Sequence, residues 1–263
     1  MGRIILIGDV HGCRPELDQL LDRVALAAGD DLCFVGGDVA RGPDPTGVLD
    51  LASELGASMV RGNHEWRLLE ARAARARGDT PPRLGPSHRT LMDELEDRHW
   101  AALEAMTSWV DYPDHELRVV HAGVVPGIPI EQQDKWVLAH LRTLRADGSP
   151  SDKRDFTLWA ERYREAPHVV FGHNAVDGLQ LHSHATGIDT GCVYGGRLTA
   201  MVLGPGQRVP PEKHRRDVLV SVRARKAYVE LTVGCILMRR SRAFSGIDRV
   251  IGVSINPGAT PLT

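Results

Sequence analysis

Short aliphatic runs alternate with amphipathic stretches along the first third of the chain. Arg3 to Gly8 is apolar at every central position, the pattern of a strand buried on both faces. Pro15 to Ala28 follows with Leu17, Leu20, Leu21 and Val24 at helical spacing; Pro15 suits a first helical turn and Gly29 a helix end. The pattern then predicts a strand over Asp31 to Gly36, a helix over Thr46 to Leu55, a strand over Ala57 to Arg61 and a helix over Glu65 to Arg77. A β-α-β-α-β-α opening predicts an α/β sheet.

Pro81, Pro82, Gly85 and Pro86 mark a loop, and Ser87 to Met106 reads as one further helix. Leu117 to His121 predicts a strand, Glu131 to Arg145 a helix, and Val169 to Gly172 a brief strand ending at His173. Ala185 to Asp189 and Leu198 to Leu203 read as paired strands around Gly191, Gly195 and Gly196. A boundary is expected at Gly204-Pro205-Gly206, giving a main domain over 1–205 and an extension over 206–263, with one more strand near Val218 to Val222. No internal repeat is visible.

Apolar residues make up 42% of the 263 and charged residues 25%, as in an ordinary soluble globular protein. The net charge of −2 gives no sign of a nucleic-acid binder. Cys13, Cys33, Cys192 and Cys235 form no C-x-x-C pair, so reduced thiols and a cytoplasmic location are expected. Asp9 interrupts the first apolar run too early for a signal peptide, and Leu6 stands where a myristoylation motif needs Ser or Thr. The run Val229 to Met238 is too short to span a bilayer, so no membrane association is expected.

The candidate chemistry lies where the apolar runs stop. Gly8-Asp9-Val10-His11-Gly12, Gly37-Asp38-Val39-Ala40-Arg41-Gly42-Pro43, Gly62-Asn63-His64-Glu65 and His121-Ala122-Gly123 follow in order. Asp9 and His11, in a turn between two glycines, can reach one ion. Asp38 is the natural bridge in a pair of ions that stand roughly 3.5–4 Å apart. Asn63 offers an amide oxygen, and His121 and His173 end later strands. Such oxygens and imidazoles suit Mn²⁺, Fe or Zn²⁺. Each motif alone is more often a turn or a loop pair than a metal site. At successive strand ends of an α/β sheet, together they match what a phosphate-cleaving metal site requires.

With Phe171-Gly172-His173, these segments resemble the phosphoprotein phosphatase branch of the calcineurin-like metallophosphoesterases over about residues 1–203. The resemblance implies a mixed-sheet αββα sandwich with a dimetal site at strand ends. Asp9, His11 and Asp38 would hold the first ion, and Asp38, Asn63, His121 and His173 the second. His64 would meet the leaving oxygen as general acid, and Arg41 would clamp the phosphate through its planar fork. The cofactor would be two divalent ions, Mn²⁺ first, with Co²⁺, Fe or Zn²⁺ as alternatives. Arg162, after Trp159, is the candidate for a second phosphate-binding arginine, the alternative being a solvated helix face shared with Glu161 and Arg164.

Two departures bear on the substrate. Protein phosphatases of the branch carry an Asp just before the motif arginine, which supports the catalytic histidine. Here that position is Ala40, so His64 is expected to be less basic and less firmly oriented. Val39 to Pro43 instead resembles the bacterial symmetrical diadenosine tetraphosphatases, as does Ile188 to Gly196, part of which other small bacterial and phage phosphatases share. That points to symmetrical hydrolysis of dinucleoside polyphosphates to nucleoside diphosphates by a metal-held hydroxide. Glu65 and the short span between His121 and His173 point instead to a Ser, Thr or Tyr phosphoprotein phosphatase or a broad phosphomonoesterase. A non-catalytic metal- or nucleotide-binding regulator is the remaining alternative.

Overall fold

Every residue of the first strand, β1 (Ile4–Ile7), is buried because the strand has core on both sides. Ile4 and Leu6 point into the space between two sheets; Ile5 and Ile7 point the other way, toward helices. A computed structural model describes residues 2–230 of the chain. The later part of the run Val229 to Met238, with Cys235, lies outside them.

The opening alternation forms as read: α1 (Arg14–Val24), β2 (Asp31–Phe34), α2 (Pro45–Glu54), β3 (Ser58–Met59) and α3 (Asn63–Arg77). Asp44 starts α2 by accepting the N–H of Gly47 at 2.8 Å, with Pro45 in the first turn. Gly78, at φ 74°, ends α3. The helix expected over Ser87 to Met106 is two, α4 (Pro86–Glu94) and α5 (Asp97–Ala105). Leu95 turns extended, and Glu96 opens the second helix with its N–H held by Nδ1 of His99 at 3.0 Å.

An edge strand that the pattern did not signal, β4 (Trp109–Tyr112), pairs antiparallel with β5 (Leu117–Val120). The helix expected over Glu131 to Arg145 shrinks to α6 (Lys135–His140). Leu141 is extended beyond it, and the chain enters a small three-stranded sheet of β6 (Thr143–Leu144), β7 (Pro150–Ser151) and β8 (Thr157–Leu158). A single turn of helix, α7 (Trp159–Arg162), leads to β9 (His168–Phe171). Then come β10 (Gln180–Leu181), β11 (Ala185–Gly187), β12 (Arg197–Leu203) and β13 (Leu219–Arg223).

Two five-stranded sheets result, ordered β13-β12-β1-β2-β3 and β10-β11-β9-β5-β4. The strands expected to pair around the glycines do not. β11 runs parallel to β9 in the second sheet, and β12 runs antiparallel to β1 in the first. The connection crosses between sheets, with Gly191 and Gly195 at positive φ in its turns. Ile4, Leu6, Cys33 and Met201 of the first sheet pack against Leu117, Val119 and Val170 of the second. Outside the first sheet lie α1 and α2; outside the second lie α6 and Trp159. This is the αββα sandwich.

Past Gly204-Pro205-Gly206, β13 pairs along β12 from Arg197↔Arg223 to Met201↔Leu219. Buried Glu16 of α1 then accepts the N–H of Arg225 at 2.9 Å and the hydroxyl of Tyr228 at 3.0 Å. Among the described residues, no helix is long and apolar enough to cross a membrane.

Candidate active site

The parallel strands β1, β2, β5 and β9 all end at one edge of the sandwich, and the motif turns interlock there through their backbones. The N–H of His11 bonds the carbonyl of Gly37 at 2.8 Å, that of Gly12 bonds Asp38 O at 2.8 Å, and that of Gly42 bonds His11 O at 2.7 Å. Glu65, wholly buried at the start of α3, ties the second motif to the third. Its Oε1 accepts the N–H groups of Asp38 (2.9 Å) and Val39 (3.0 Å), and its Oε2 those of Gly62 (2.9 Å) and Gly37 (3.3 Å). Burial pushes its pKa up, and the N–H groups of Val39, Gly37 and Asp38, with its own, pull it down.

The candidate ligands converge. Asp9 Oδ2 lies 3.8 Å from His11 Nε2, and Asp9 Oδ1 accepts the backbone N–H of His173 at 3.1 Å. His121 Nε2 lies 3.2 Å from Asn63 Oδ1, and the rings of His121 and His173 meet at 5.0 Å. A Cβ on Gly37 would fall 2.3 Å from Asp9 Oδ2, and one on Gly172 would fall 1.9 Å from Asp9 Oδ1, so both positions require glycine. Six described non-glycine residues have positive φ, and four of them, His11, Ala40, Arg41 and His173, belong to this cluster. Such backbone strain concentrates where a site dictates the conformation.

The residues fit a pair of cations. Asp38 is fully buried, and neither carboxylate oxygen has a hydrogen-bond partner. Burial first, then Glu65 nearby, pushes its pKa well above the usual carboxylate range; burial and Asp189 do the same to Asp9. Burial holds His11 and His173 well below the ordinary imidazole range and His121 down to about 3. Neutral imidazoles and crowded carboxylates, with Asp38 unpartnered among them, form a donor set that divalent ions would satisfy. The Nδ1 atoms of His11 and His121 face the carbonyls of Val39 (3.4 Å) and Val35 (3.2 Å), an arrangement that fixes ring orientation.

Arg41 joins the cluster: its Nη1 is 3.5 Å from His11 Nε2 and donates to the hydroxyl of Tyr194 at 2.5 Å. Tyr194 comes from the crossover between the sheets, 153 positions from Arg41, and no local pattern signals the pairing. Arg162 is not brought in. It is exposed and donates to the carbonyl of Arg145 at 3.0 Å, because the inward face of α7 is taken by Trp159 and Ala160. The second arginine at the site is Arg142, whose Nη1 donates to the carbonyl of His173 (3.1 Å) and to Asn174 Oδ1 (2.8 Å). Burial holds its pKa down to about 10. The early stop of α6 sends Arg142 toward the end of β9, and no spacing signalled that stop.

His64 is buried on the first turn of α3, its ring edge-on to that of His11 at 5.0 Å. Its Nδ1 lies 2.9 Å from Nε2 of His88, on α4.

A family model for calcineurin-like phosphoesterases matches residues 2–204. The chain belongs to that family. Calcineurin-like metallophosphoesterases use a dinuclear metal centre, and this member is a metal-dependent hydrolase. It is 30% identical over 224 residues to an asymmetrical bis(5'-nucleosyl)-tetraphosphatase, PrpE, of Bacillus thuringiensis, covering 74% of this chain and 88% of that one. It is also 30% identical over 260 residues to a symmetrical bis(5'-nucleosyl)-tetraphosphatase of Nitrosomonas europaea, covering 75% and 93%. A crystal structure provisionally described as a diadenosine tetraphosphatase superposes with a TM-score of 0.72 at 32% identity, over 85% of this chain and 94% of that one. A protein serine/threonine phosphatase of Saccharomyces cerevisiae shares the fold, with a TM-score of 0.50 at 14% identity over 88% and 82% of the two chains.

Proposed function

We propose that this calcineurin-like phosphoesterase hydrolyses dinucleoside tetraphosphates in the cytoplasm, symmetrically, to two nucleoside diphosphates. The observation that carries the reaction class is the Asp38 carboxylate, buried with both oxygens unpartnered and close enough to Asp9 and Glu65 to interact with their charges. Relatives of 30% identity named for tetraphosphate cleavage support the substrate class.

Asp9, His11 and Asp38 would hold one divalent ion, and Asp38, Asn63, His121 and His173 a second, Mn²⁺ before Co²⁺, Fe or Zn²⁺. When bound, such ions lower the pKa of water and offset charge on the phosphoryl oxygens. Arg41, braced by Tyr194, and Arg142, braced by His173 and Asn174, grip the polyphosphate and stabilise charge on its equatorial oxygens. Water adds to phosphorus, the bridging P–O bond opposite breaks, and the nucleoside diphosphate departs as an anion. His64 gives a hydrogen bond or proton to that departing oxygen. The resemblance of Val39 to Pro43 to the symmetrical enzymes favours cleavage at the centre of the chain of phosphates.

A second reading is asymmetrical cleavage to AMP and ATP, favoured by the likeness to PrpE. The test is turnover of diadenosine tetraphosphate and of a phosphopeptide in parallel, under Mn²⁺ and Co²⁺, with the nucleotides separated. ADP alone is expected. AMP with ATP moves the assignment to the second reading, and faster turnover of the phosphopeptide under both metals overturns it.

A further inference from the structure

The second motif carries Ala40 where a carboxylate would brace His64, yet the His64 ring is held. Its Nδ1 is 2.9 Å from Nε2 of His88, and the two ring planes lie within 13° of each other with centroids 4.9 Å apart. Both side chains are buried. Ala40 packs in one cluster with Val39, Leu68 and Leu91, and Leu91 lies one turn beyond His88 on α4. A carboxylate at position 40 would sit in that apolar cluster.

We propose that His88 is the positioning residue for the leaving-group acid: it accepts the Nδ1–H of His64 and aims the opposite nitrogen, Nε2, at the departing oxygen. The inference rests on the role given to His64 above. Only this direction of the bond leaves His64 able to act, since a His64 that donates from Nε2 as an acid carries a proton on Nδ1 as well. Burial first, with Arg67 and Arg41 nearby, holds His88 down to about 4, so its ring is neutral and one nitrogen can accept. A neutral acceptor orients the acid without the added basicity that a carboxylate confers. That suits a leaving group that departs as a stable anion.

His88→Ala, His88→Gln and His64→Ala, each loaded with Mn²⁺, test this on phenyl phosphate, a poor leaving group, and p-nitrophenyl phosphate, a good one. His88→Ala is expected to lower kcat on phenyl phosphate by about 10–100-fold and on p-nitrophenyl phosphate by less than about 3-fold, with KM unchanged. His88→Gln, whose amide oxygen can accept the same bond, should recover most of the loss. In the metal-free protein, ¹⁵N NMR should find the His64 proton fixed on Nδ1 in the wild type and released to Nε2 in His88→Ala. Equal losses on both esters, no loss on either, or a wild-type His64 without a proton on Nδ1 overturns the proposal. The last measurement stands even if His88→Ala fails to fold. If His64→Ala itself shows no dependence on the leaving group, the acid role of His64 falls; if it does and His88→Ala does not, only the role of His88 falls.

Discussion

The carboxylate of Asp9 accepts the backbone N–H of His173 at 3.1 Å, a bond between residues 164 positions apart that joins the strand ends of the two sheets. Gly172 permits it, because a Cβ there would fall 1.9 Å from Asp9 Oδ1. Gly172→Ala should therefore displace Asp9 or β9 and cut kcat by at least about 100-fold, since small misplacements of reacting groups have costs of that order. Steady-state kinetics, with circular dichroism to verify folding, checks this.

Asp38 sets a pair of opposite effects. Asp38→Asn should abolish nearly all turnover yet raise the melting temperature of the metal-free protein by roughly 2–4 °C, by removing a buried, unpartnered carboxylate whose ionised form burial and Glu65 disfavour. Mn²⁺ at 100 times its dissociation constant should stabilise the wild type by about 2.7 kcal/mol and the variant far less. Thermal melts with and without chelator read both.

Arg142 and Arg162 separate by position. Arg142→Ala should lower kcat/KM by about 100-fold or more, the usual cost of a lost donor to developing charge. Arg142→Lys should recover only part, because Nη1 alone holds His173 O and Asn174 Oδ1 and leaves the other guanidinium N–H groups for phosphate, which a lysine ammonium cannot match. Arg162→Ala, an exposed change, should stay within about twofold. Kinetics on diadenosine tetraphosphate distinguishes them.

Glu65→Gln should cost about 3 kcal/mol, or roughly 6–12 °C, because the amide nitrogen would face backbone donors that the carboxylate now satisfies. Urea unfolding with an unchanged m-value would locate the loss in the folded state.

Asp30 gives a pH signature away from the site. It accepts the N–H of Ala27 (3.0 Å) and Nε–H of Arg3 (3.1 Å), and Arg3 holds it at about 2. A carboxylate lowered on folding stabilises above its unfolded pKa, about 3.9, and loses that contribution as pH falls toward the folded value. Between those two pH values, the melting temperature of the wild type should fall faster than that of Asp30→Asn.

The first half of the fold and the donor cluster were legible because each rests on local pattern. Ile4 to Ile7, the helical spacing of Leu17, Leu20, Leu21 and Val24, and the glycine-flanked ligands all announce themselves within a few residues. The assignments that required knowing where a helix stops were not legible. Leu141 leaves the helical conformation with no Gly or Pro to mark it, so Arg142 read as a helix interior and its place beside His173 was hidden. Likewise Leu95 ends α4 unannounced, and His88, 24 residues beyond His64, becomes its neighbour only through tertiary packing, with Leu91 of the same helix in the cluster around Ala40. The pairing of β12 with β1 was hidden because a crossover and a hairpin use the same glycines.

That crossover also sets where the chain can be cut. Tyr194, which braces Arg41, lies beside Val193, whose carbonyl accepts the N–H groups of Tyr228 (2.9 Å) and Val229 (3.1 Å), and Tyr194 itself bridges to Ala227. A fragment ending at residue 205 would retain every candidate ligand and lose the segment that steadies Tyr194 and, through it, the proposed phosphate clamp Arg41. For anyone trimming the gene, residue 230 is the earliest sensible stop codon, and a shorter product would fail by slackening rather than by losing a reactive group.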